Sequence, residues 1–359
     1  MTVLDRYITR EFIMTFFFVL VAFLCLYLIV DFFERIRMFL SNHATLGQIA
    51  SYHLYTMPSI VAMMMPACVL LAALISFGLL SRNHEIVAMK ANGVSLARMA
   101  RPVLAIALAA CGLNFLLNEF VTPAANWRAE YIKYVEVQKK KEWGAFKENQ
   151  IWYKSQNAIY NFKLFVPAEN KLKGVTINYL DPTFNLKSRI DAREALWKDN
   201  RWQLQDVLRT TFDGKAFPVI ERLPTLDVDI AEEPEDFQVV QKSADQMGFL
   251  ELRNYIRKLR QEGYDATRYE TDLQGKIAFV FVSLILALIG VVFPLRSERS
   301  GGIAQGIGIG VIIGFSYWLV FAFTLSLGRS GTLPPIVAAW STNVLLGVVA
   351  VVMFRKANQ

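Results

Sequence analysis

Cysteine and histidine are scarce in this sequence, and that scarcity limits the kinds of site it can form. The three cysteines, Cys25, Cys68 and Cys111, all lie inside apolar runs, so the polar middle of the chain has none. That middle segment must therefore be stable without disulfides, even in an oxidising compartment. The three histidines are scattered and lack metal-ligand spacing. We expect neither a disulfide framework nor a metal centre.

Catalytic and nucleotide-binding motifs are missing as well. The nearest approach to a phosphate-binding loop is GGIAQG at 301–306, but Ile307 and Gly308 follow it where Lys and Ser or Thr are required. The sequence contains no HExxH and no GxSxG pattern. We therefore expect no enzyme activity in this chain and no cofactor.

Charged side chains are absent from the middle of every long apolar run. Proton and sodium transporters usually keep ionisable groups at that depth despite their cost. Coupling to an ion gradient is therefore disfavoured. Any work that this protein performs would need an external motor.

The apolar runs themselves define the class of the protein. About 20 residues of helix cross a hydrocarbon core of about 30 Å, and six runs reach that length, at 12–33, 59–80, 102–121, 277–294, 303–327 and 334–354. The first lacks a small-residue cleavage site, so it is predicted to be an uncleaved span. The sequence predicts an α-helical membrane protein with three spans on each side of a polar middle.

The basic residues predict the orientation of these spans. The net charge of +7 comes entirely from the flanking segments, because residues 125–272 hold equal numbers of acidic and basic side chains. A basic chain of this kind does not indicate nucleic-acid binding. Lys and Arg are concentrated beside the termini and in the loops on the same side as the termini. The positive-inside rule then places both termini and residues 81–100 in the cytoplasm.

The polar middle has the pattern of short strands. Segments such as QIWYK, AIYNFKLFV and RWQLQDVLRTTF are rich in β-branched and aromatic residues and are separated by turn signals. Such spacing favours an all-β sandwich or jelly-roll-like domain on the outer side. We expect spans one to three in 1–124, this domain with helical connectors in 125–272, and spans four to six in 273–359.

The cytoplasmic segment between spans two and three predicts a short helix at about 83–93. Asn83 is a candidate N-cap, Glu85 lies in the first turn, and Asn92-Gly93 can end the helix in a left-handed turn. Ile86, Met89 and Val94 are among its apolar residues. Such a helix suits docking into a groove on a cytoplasmic partner. A surface loop whose charges only set the topology is the alternative.

The outer end of span one carries VDFFERIRMF at 30–39. On a helix, Asp31 lies beside Arg35 and Glu34 lies beside Arg37, so the four side chains can form two local ion pairs. Alternatively, Arg35 and Arg37 bind an anionic ligand, because guanidinium groups recognise phosphate.

Span five contains glycines at every fourth position, which fall on one helix face. Small residues let helices approach closely in lipid. The stripe is either a static packing surface or a seam that separates, and it comprises Gly302, Gly306, Gly310 and Gly314.

Five segments, in the same order along the chain, resemble the lipopolysaccharide export permeases of the LptF/LptG family. They are LDRYITREF from Leu4, HEIVAMKANGVSL from His84, LRNYIRKLRQEGYDATRYE from Leu252, FPLRSERSGG from Phe293 and GTLPPIVAAWSTNVLL from Gly331. The likeness covers essentially the whole chain. The tail and the basic residues that end span one are more similar to LptG than to LptF.

The resemblance implies a transporter subunit of the Gram-negative inner membrane. It would pair with a paralogous LptF-like permease subunit and be driven by a cytoplasmic LptB-like ATPase dimer. Spans one and five of each subunit would line a cavity open to the outer leaflet. The periplasmic β domain would pass lipopolysaccharide to an LptC-like bitopic protein and then to a periplasmic bridge.

The resemblance also implies roles for the residues above. The helix from Glu85 to Gly93 would be the coupling helix, with Glu85 as the charged contact to the ATPase and Met89 and Val94 as apolar contacts. Arg35 and Arg37 would be ligands of the lipid A phosphates. The glycine stripe would face span one across a seam that opens for lipid entry.

Two positions depart from the family pattern. Gln274 stands where an aromatic residue commonly precedes the lysine that begins span four, and Val280 stands where a proline is common. The family resemblance therefore does not determine the geometry of span four. A non-transporting scaffold, whose six spans anchor a partner-binding β domain, is the alternative function.

Overall fold

Two compact units make up the computed structural model of this chain, and both termini belong to the same unit. One unit comprises Met1–Lys133 with Ala244–Gln359, and the other comprises Tyr134–Ser243. The described residues are 3–139, 144–147, 150–154, 158–166, 169–181, 185–198, 201–212, 217–228, 244–261, 265–296 and 303–358.

The first unit is helical. Its α-helices are α1 (Val3–Ser41), α2 (Leu46–Arg82), α3 (Glu85–Ala91), α4 (Leu96–Leu116), α5 (Thr122–Tyr131), α6 (Phe249–Gln261), α7 (Thr267–Arg296), α8 (Ile303–Arg329) and α9 (Pro335–Asn358). Six helices in the described residues are long and apolar enough to cross a membrane, which confirms the predicted spans. These are α1, α2, α4 with its continuation, α7, α8 and α9.

Helix α2 is continuous. Thr45 and Gln48 form a capping box at its start, in which each side chain bonds the backbone of the other residue. Pro58 and Pro66 lie within the helix. Residues 46–57, which precede the apolar run of span two, are the first turns of α2.

Span four is also a single uninterrupted helix, α7. Gln274 accepts a hydrogen bond from the indole Nε1 of Trp340 at 3.2 Å, and Val280 is buried. The two departures from the family pattern therefore leave span four helical, with Gln274 tied to α9.

Span three does not stop where its apolar run ends. A π-helical segment (Leu117–Val121), α5 and a second π-helical segment (Ile132–Val137) continue it. The chain leaves the helical unit after Lys133, and the predicted boundary of the inserted domain lies at 124/125. The returning helix α6 also belongs to the helical unit, and the carboxylate of Glu119 accepts hydrogen bonds from the backbone N–H groups of Phe249 and Leu250 at its start.

The second unit contains one antiparallel sheet of seven described strands, in which each strand pairs with the next along the chain. The strands are β1 (Gly144–Lys147), β2 (Gln150–Lys154), β3 (Ala158–Val166), β4 (Lys171–Leu180), β5 (Leu186–Lys198), β6 (Arg201–Thr211) and β7 (Val219–Val228). The predicted all-β insertion is confirmed. Its described pairings form an up-and-down meander. The strand pattern did not identify β1 and β7.

Buried side chains form an apolar layer on the sheet, and Trp202 is the largest of them. Trp197 lies opposite it on the neighbouring strand β5, with ring centroids 5.1 Å apart. No cysteine contributes, so apolar packing and strand pairing hold this unit together, as the sequence predicts.

Candidate functional site

Helix α3 ends in a tight turn that leads directly into α4. The N–H groups of Gly93 and Val94 donate to the carbonyls of Lys90 and Met89 at 2.9 and 3.0 Å. Gly93 has φ 81°, a conformation that favours glycine. This is the Schellman arrangement, and Met89 and Val94 pack against the same apolar cluster beneath it. The predicted left-handed end of the helix is confirmed.

The start of α3 differs from the prediction. Asn83 is the C-cap of α2, so its predicted role as N-cap of α3 is wrong. The chain turns at His84, which takes the left-handed conformation (φ 59°) and donates its N–H to the carbonyl of Ser81 at 2.9 Å. Because seven residues are too few for an independent helix, these turns and the packing below must hold α3 in place.

The face that α3 buries is set by Ile86. Ile86 is only 2% exposed and lies in a cluster with Ile8, Phe12 and Leu96. Met89 and Val94 are half-buried against the same cluster. These three residues therefore attach the helix to its own bundle. Met89 and Val94 keep part of their surface accessible, so their predicted contact with a partner stays a prediction.

The exposed face of α3 carries different side chains. Val87 is 51% exposed, and Lys90 and Ala91 are exposed beside it. Asn92 is also exposed, and its side-chain amide donates to the carbonyl of Ala88 at 2.8 Å, so it bonds to its own helix. The sequence analysis did not place Val87 on the exposed face. Helical spacing indicates this face, because Ile86 and Met89 lie on one side of the helix and Val87 and Ala91 lie on another.

Glu85 lies at the edge between these two faces. Its Oε2 accepts a hydrogen bond from the Tyr7 hydroxyl at 2.9 Å, and the Asn83 amide approaches its Oε1 at 3.4 Å. The carboxylate remains partly accessible to solvent. The sequence pattern did not indicate Tyr7, because it is 78 residues away along the chain.

The second predicted site lies at the end of α1. Arg35 Nε donates to Asp31 Oδ1 at 2.8 Å, so this predicted ion pair is confirmed. The Arg35 guanidinium also lies over the ring of Tyr52, 5.4 Å from its centroid. His53 Nε2 is 3.5 Å from the other Asp31 oxygen. Asp31 is only 6% exposed, so Arg35 is the main counter-charge of a buried carboxylate.

The second pair on this helix does not form. Glu34 and Arg37 are both exposed, and neither has an ion-pair partner within the part of the chain that the structure describes. The predicted pairing between them is therefore wrong. The two arginines differ as a result, since Arg35 is engaged by Asp31 and Tyr52 whereas Arg37 is available to a ligand.

Two glycines of the span-five stripe, Gly310 and Gly314, face α2 within this chain. A Cβ on Gly310 would lie 2.3 Å from Leu74 Cδ1 and 2.9 Å from Leu71 Cδ2, and one on Gly314 would lie 3.8 Å from Leu70 Cδ2. Gly306 lies in α8, and Gly302 lies outside the described residues. The expected contact with span one is therefore not made within the chain by Gly310 or Gly314. They fit between α8 and the leucines of α2.

In the described residues, no group of three or more His, Cys, Asp and Glu side chains could hold a metal ion. The polar clusters there are ion pairs and hydrogen bonds. The arrangement provides a surface helix held by two turns and a buried side chain, with an accessible carboxylate. It also provides Arg37 at the far end of α1, which has no ion-pair partner in the described part of the chain.

Comparison with known proteins places the chain in a family. A family model described as "Lipopolysaccharide export system permease LptF/LptG" matches residues 6–356. The Escherichia coli K12 lipopolysaccharide export system permease protein LptG is 26% identical over 354 residues, covering 94% of this chain and 93% of that protein. The Haemophilus influenzae LptG protein is 25% identical over 328 residues, covering 88% of each. The chain therefore belongs to the LptF/LptG family of lipopolysaccharide export system permeases.

Proposed function

We propose that this chain is a permease subunit of a motor-driven lipopolysaccharide exporter. It would remove lipopolysaccharide from the outer leaflet of the inner membrane and pass it to a periplasmic bridge. A separate LptB-like ATPase dimer would supply the energy, and a paralogous LptF-like subunit would complete the membrane part. The observation that carries this proposal is α3, a helix fixed to the bundle by two turns and a buried side chain while its carboxylate stays accessible.

The coupling surface is the edge and outer face of α3. Glu85 would bind a cationic side chain of the ATPase, and Val87 with Ala91 would fill an apolar groove, as amphipathic helices commonly do. Since Ile86 is anchored below, a displacement of the docked helix would move α2 and α4 with it. A loop that only sets topology would need no such anchoring.

The lipid path would lie along the least buried spans. In the most apolar stretch of each helix, only 6% of α1 and 17% of α8 is buried within this chain, against 72% of α2. The exposed faces of α1 and α8 would meet the paralogous subunit and the lipid between them. Arg37 would bind a lipid A phosphate, because its guanidinium is exposed and has no ion-pair partner among the described residues.

The orientation follows from the charge distribution. Both termini and α3 would face the cytoplasm, because Lys and Arg are concentrated beside them. The sheet unit would then lie in the periplasm of a Gram-negative bacterium. There it would receive lipopolysaccharide and hand it to an LptC-like protein, whose periplasmic part continues the path.

The test uses Glu85→Ala and Glu85→Lys in the full chain, co-expressed with its paralogue and ATPase and purified through a tag on this chain. We expect the ATPase to be lost from the complex, or lipopolysaccharide extraction from vesicles to fail with the complex intact. The lysine variant should be the more severe, because it adds charge repulsion to the loss of the contact.

Glu221→Lys serves as the matched control, because it reverses the charge of an exposed carboxylate in the sheet unit. It should retain both the ATPase and extraction. If the Glu85 variants behave like this control, α3 is not the coupling element. If ATP hydrolysis by the wild-type complex also ignores added lipopolysaccharide, the non-transporting scaffold is the better account.

A further inference from the structure

The beginning of α1 is attached directly to the coupling surface. The Tyr7 hydroxyl donates to Glu85 Oε2 at 2.9 Å, and Asn83 Nδ2 lies 3.4 Å from Glu85 Oε1. Both oxygens of the carboxylate therefore have a neighbour that orients them. A hydrogen bond to an ionised carboxylate is about twice as strong as one between neutral groups.

Two further contacts hold the same end of α1. Arg98, in the first turns of α4, donates to Asp5 at 3.2 Å. Beneath them, Ile8 and Phe12 are fully buried in the cluster that contains Ile86. The start of α1 is thus fixed to α3 and α4, whereas only 6% of the most apolar stretch of this helix is buried within the chain.

From this geometry we infer that Tyr7 is a positioning residue for Glu85 and links the ATPase-docking helix to span one. The inference rests on the proposed function of Glu85. The phenol orients the carboxylate for a cationic side chain of the ATPase. It also leaves room for that partner, since an ionised carboxylate offers about four acceptor positions. When the docked α3 moves, the Tyr7–Glu85 bond pulls the first turns of α1 with it.

A purely structural role for the Tyr7 hydroxyl would have a small effect. Tyr7 is 44% exposed, and Tyr7→Phe keeps the ring while removing only the donor to Glu85. The variant should therefore fold and assemble normally. Tyr55→Phe is a matched control, because Tyr55 is 38% exposed and its hydroxyl makes no hydrogen bond within the described residues.

The experiment is a double-mutant cycle on the full complex. Wild type, Tyr7→Phe, Glu85→Ala, the double variant and Tyr55→Phe are purified with the paralogue. The affinity of the added ATPase dimer and the lipopolysaccharide-stimulated ATP hydrolysis are then measured for each. We expect Tyr7→Phe to weaken ATPase binding about three- to tenfold, as the loss of one such hydrogen bond should. It should have no further effect in the Glu85→Ala background, because alanine leaves the phenol no acceptor to orient. Tyr55→Phe should match wild type.

The possible failures are distinguishable. If Glu85→Ala weakens binding but Tyr7→Phe matches wild type, Tyr7 is not a positioning residue, while the coupling role of α3 stands. Additive losses in the double variant overturn the inference in the same way, because they mean that Tyr7 acts independently of Glu85. If Glu85→Ala itself has no effect, the proposed function of α3 fails and the role of Tyr7 fails with it.

Discussion

Helices α1 and α2 are both long and apolar, but the structure uses them in opposite ways. The most apolar stretch of α1 is the more hydrophobic of the two, yet 6% of it is buried within the chain against 72% for α2. In lipid, apolar surface gains nothing by leaving its surroundings, so hydrophobicity does not decide which helix becomes central. The shape of the helix surface decides which helix is central, because neighbouring helices can approach α2 closely.

The close approach of α7 to α2 illustrates this. A Cβ on Gly290 would lie 2.6 Å from the Cβ of Ala73 and 2.8 Å from the carbonyl oxygen of Leu70. Small residues on both helices make this contact possible, as is usual between helices in membranes. The buried residues of α1 are few and widely spaced: Ile8 and Phe12 near one end, Val19 in the middle, and Asp31 and Phe39 near the other end.

The largest expected effect on stability comes from a side chain that keeps α7 and α2 apart. Gly290→Leu places a side chain against the backbone of α2, and we expect a loss of about 3 kcal/mol in the free energy of unfolding, the upper range for overpacking. Gly308→Leu is the control, because nothing lies within 4 Å of a Cβ at Gly308. Thermal unfolding in detergent, followed by size-exclusion chromatography, measures both. Equal stability of the two variants would contradict the central position of α2.

Truncating a phenylalanine in each helix tests the comparison directly. Phe77 in α2 is completely buried, whereas Phe18 in α1 is 74% exposed. Phe77→Ala should cost about 2 kcal/mol, mainly for the cavity, since transfer to lipid contributes little. Phe18→Ala should cost less than about 0.5 kcal/mol. Stability against denaturant separates the two variants, and a large loss for Phe18→Ala in the isolated chain would mean that α1 is buried after all.

Arg35 and Arg37 lie near the end of α1, in a part of this helix that contacts α2. Their substitution compares a packed arginine with an exposed one on the same helix. Arg35→Ala leaves the buried Asp31 without its main counter-charge, and we expect it to cost about 2 kcal/mol of stability. Arg37→Ala should leave stability within about 0.5 kcal/mol but reduce lipopolysaccharide binding. Unfolding curves and photo-crosslinking to the lipid distinguish the two roles. If instead Arg37→Ala lowers stability and Arg35→Ala reduces lipopolysaccharide binding, Arg37 is the structural residue and Arg35 is the ligand-binding one.

The smallest expected effect concerns the sheet unit and its response to acid. Burial opposes ionisation of Asp191, but the bidentate contact with Arg189 at 2.7 and 2.8 Å and the hydrogen bond from Thr176 outweigh it, so the pKa of Asp191 lies below its ordinary value. Because this pKa is lowered by folding, the stabilisation is present above about pH 4, the ordinary range of an aspartate, and is lost as the pH falls through the folded-state pKa.

Asp191→Asn should therefore reduce stability by about 1 kcal/mol near pH 7, and by progressively less below about pH 4. Hydrogen exchange of the β4 and β5 amides in the full chain measures this. Asp206→Asn is the control, because Asp206 is more exposed and bonds to a single arginine, Arg222. A pH-independent difference for Asp191→Asn would show that the charge of Asp191 does not stabilise the sheet.

The sequence by itself determined the class and the order of elements. Apolar runs of spanning length can only be membrane helices or helices of a large core, and β-branched strands between turn signals identified β2 to β6 closely. Asn92-Gly93 marked the end of α3 correctly, because a left-handed turn depends on local chemistry.

Only the tertiary structure decided which faces and which partners these elements use. Ile86 and Val87 are adjacent and similar, but one anchors α3 and the other is exposed. Arg35 and Arg37 are two residues apart, but only Arg35 meets the buried Asp31 and the ring of Tyr52. The Tyr7–Glu85 contact joins residues from different helices. Such choices depend on the rotation of each helix against its neighbours, which close packing between helices determines and local sequence does not encode.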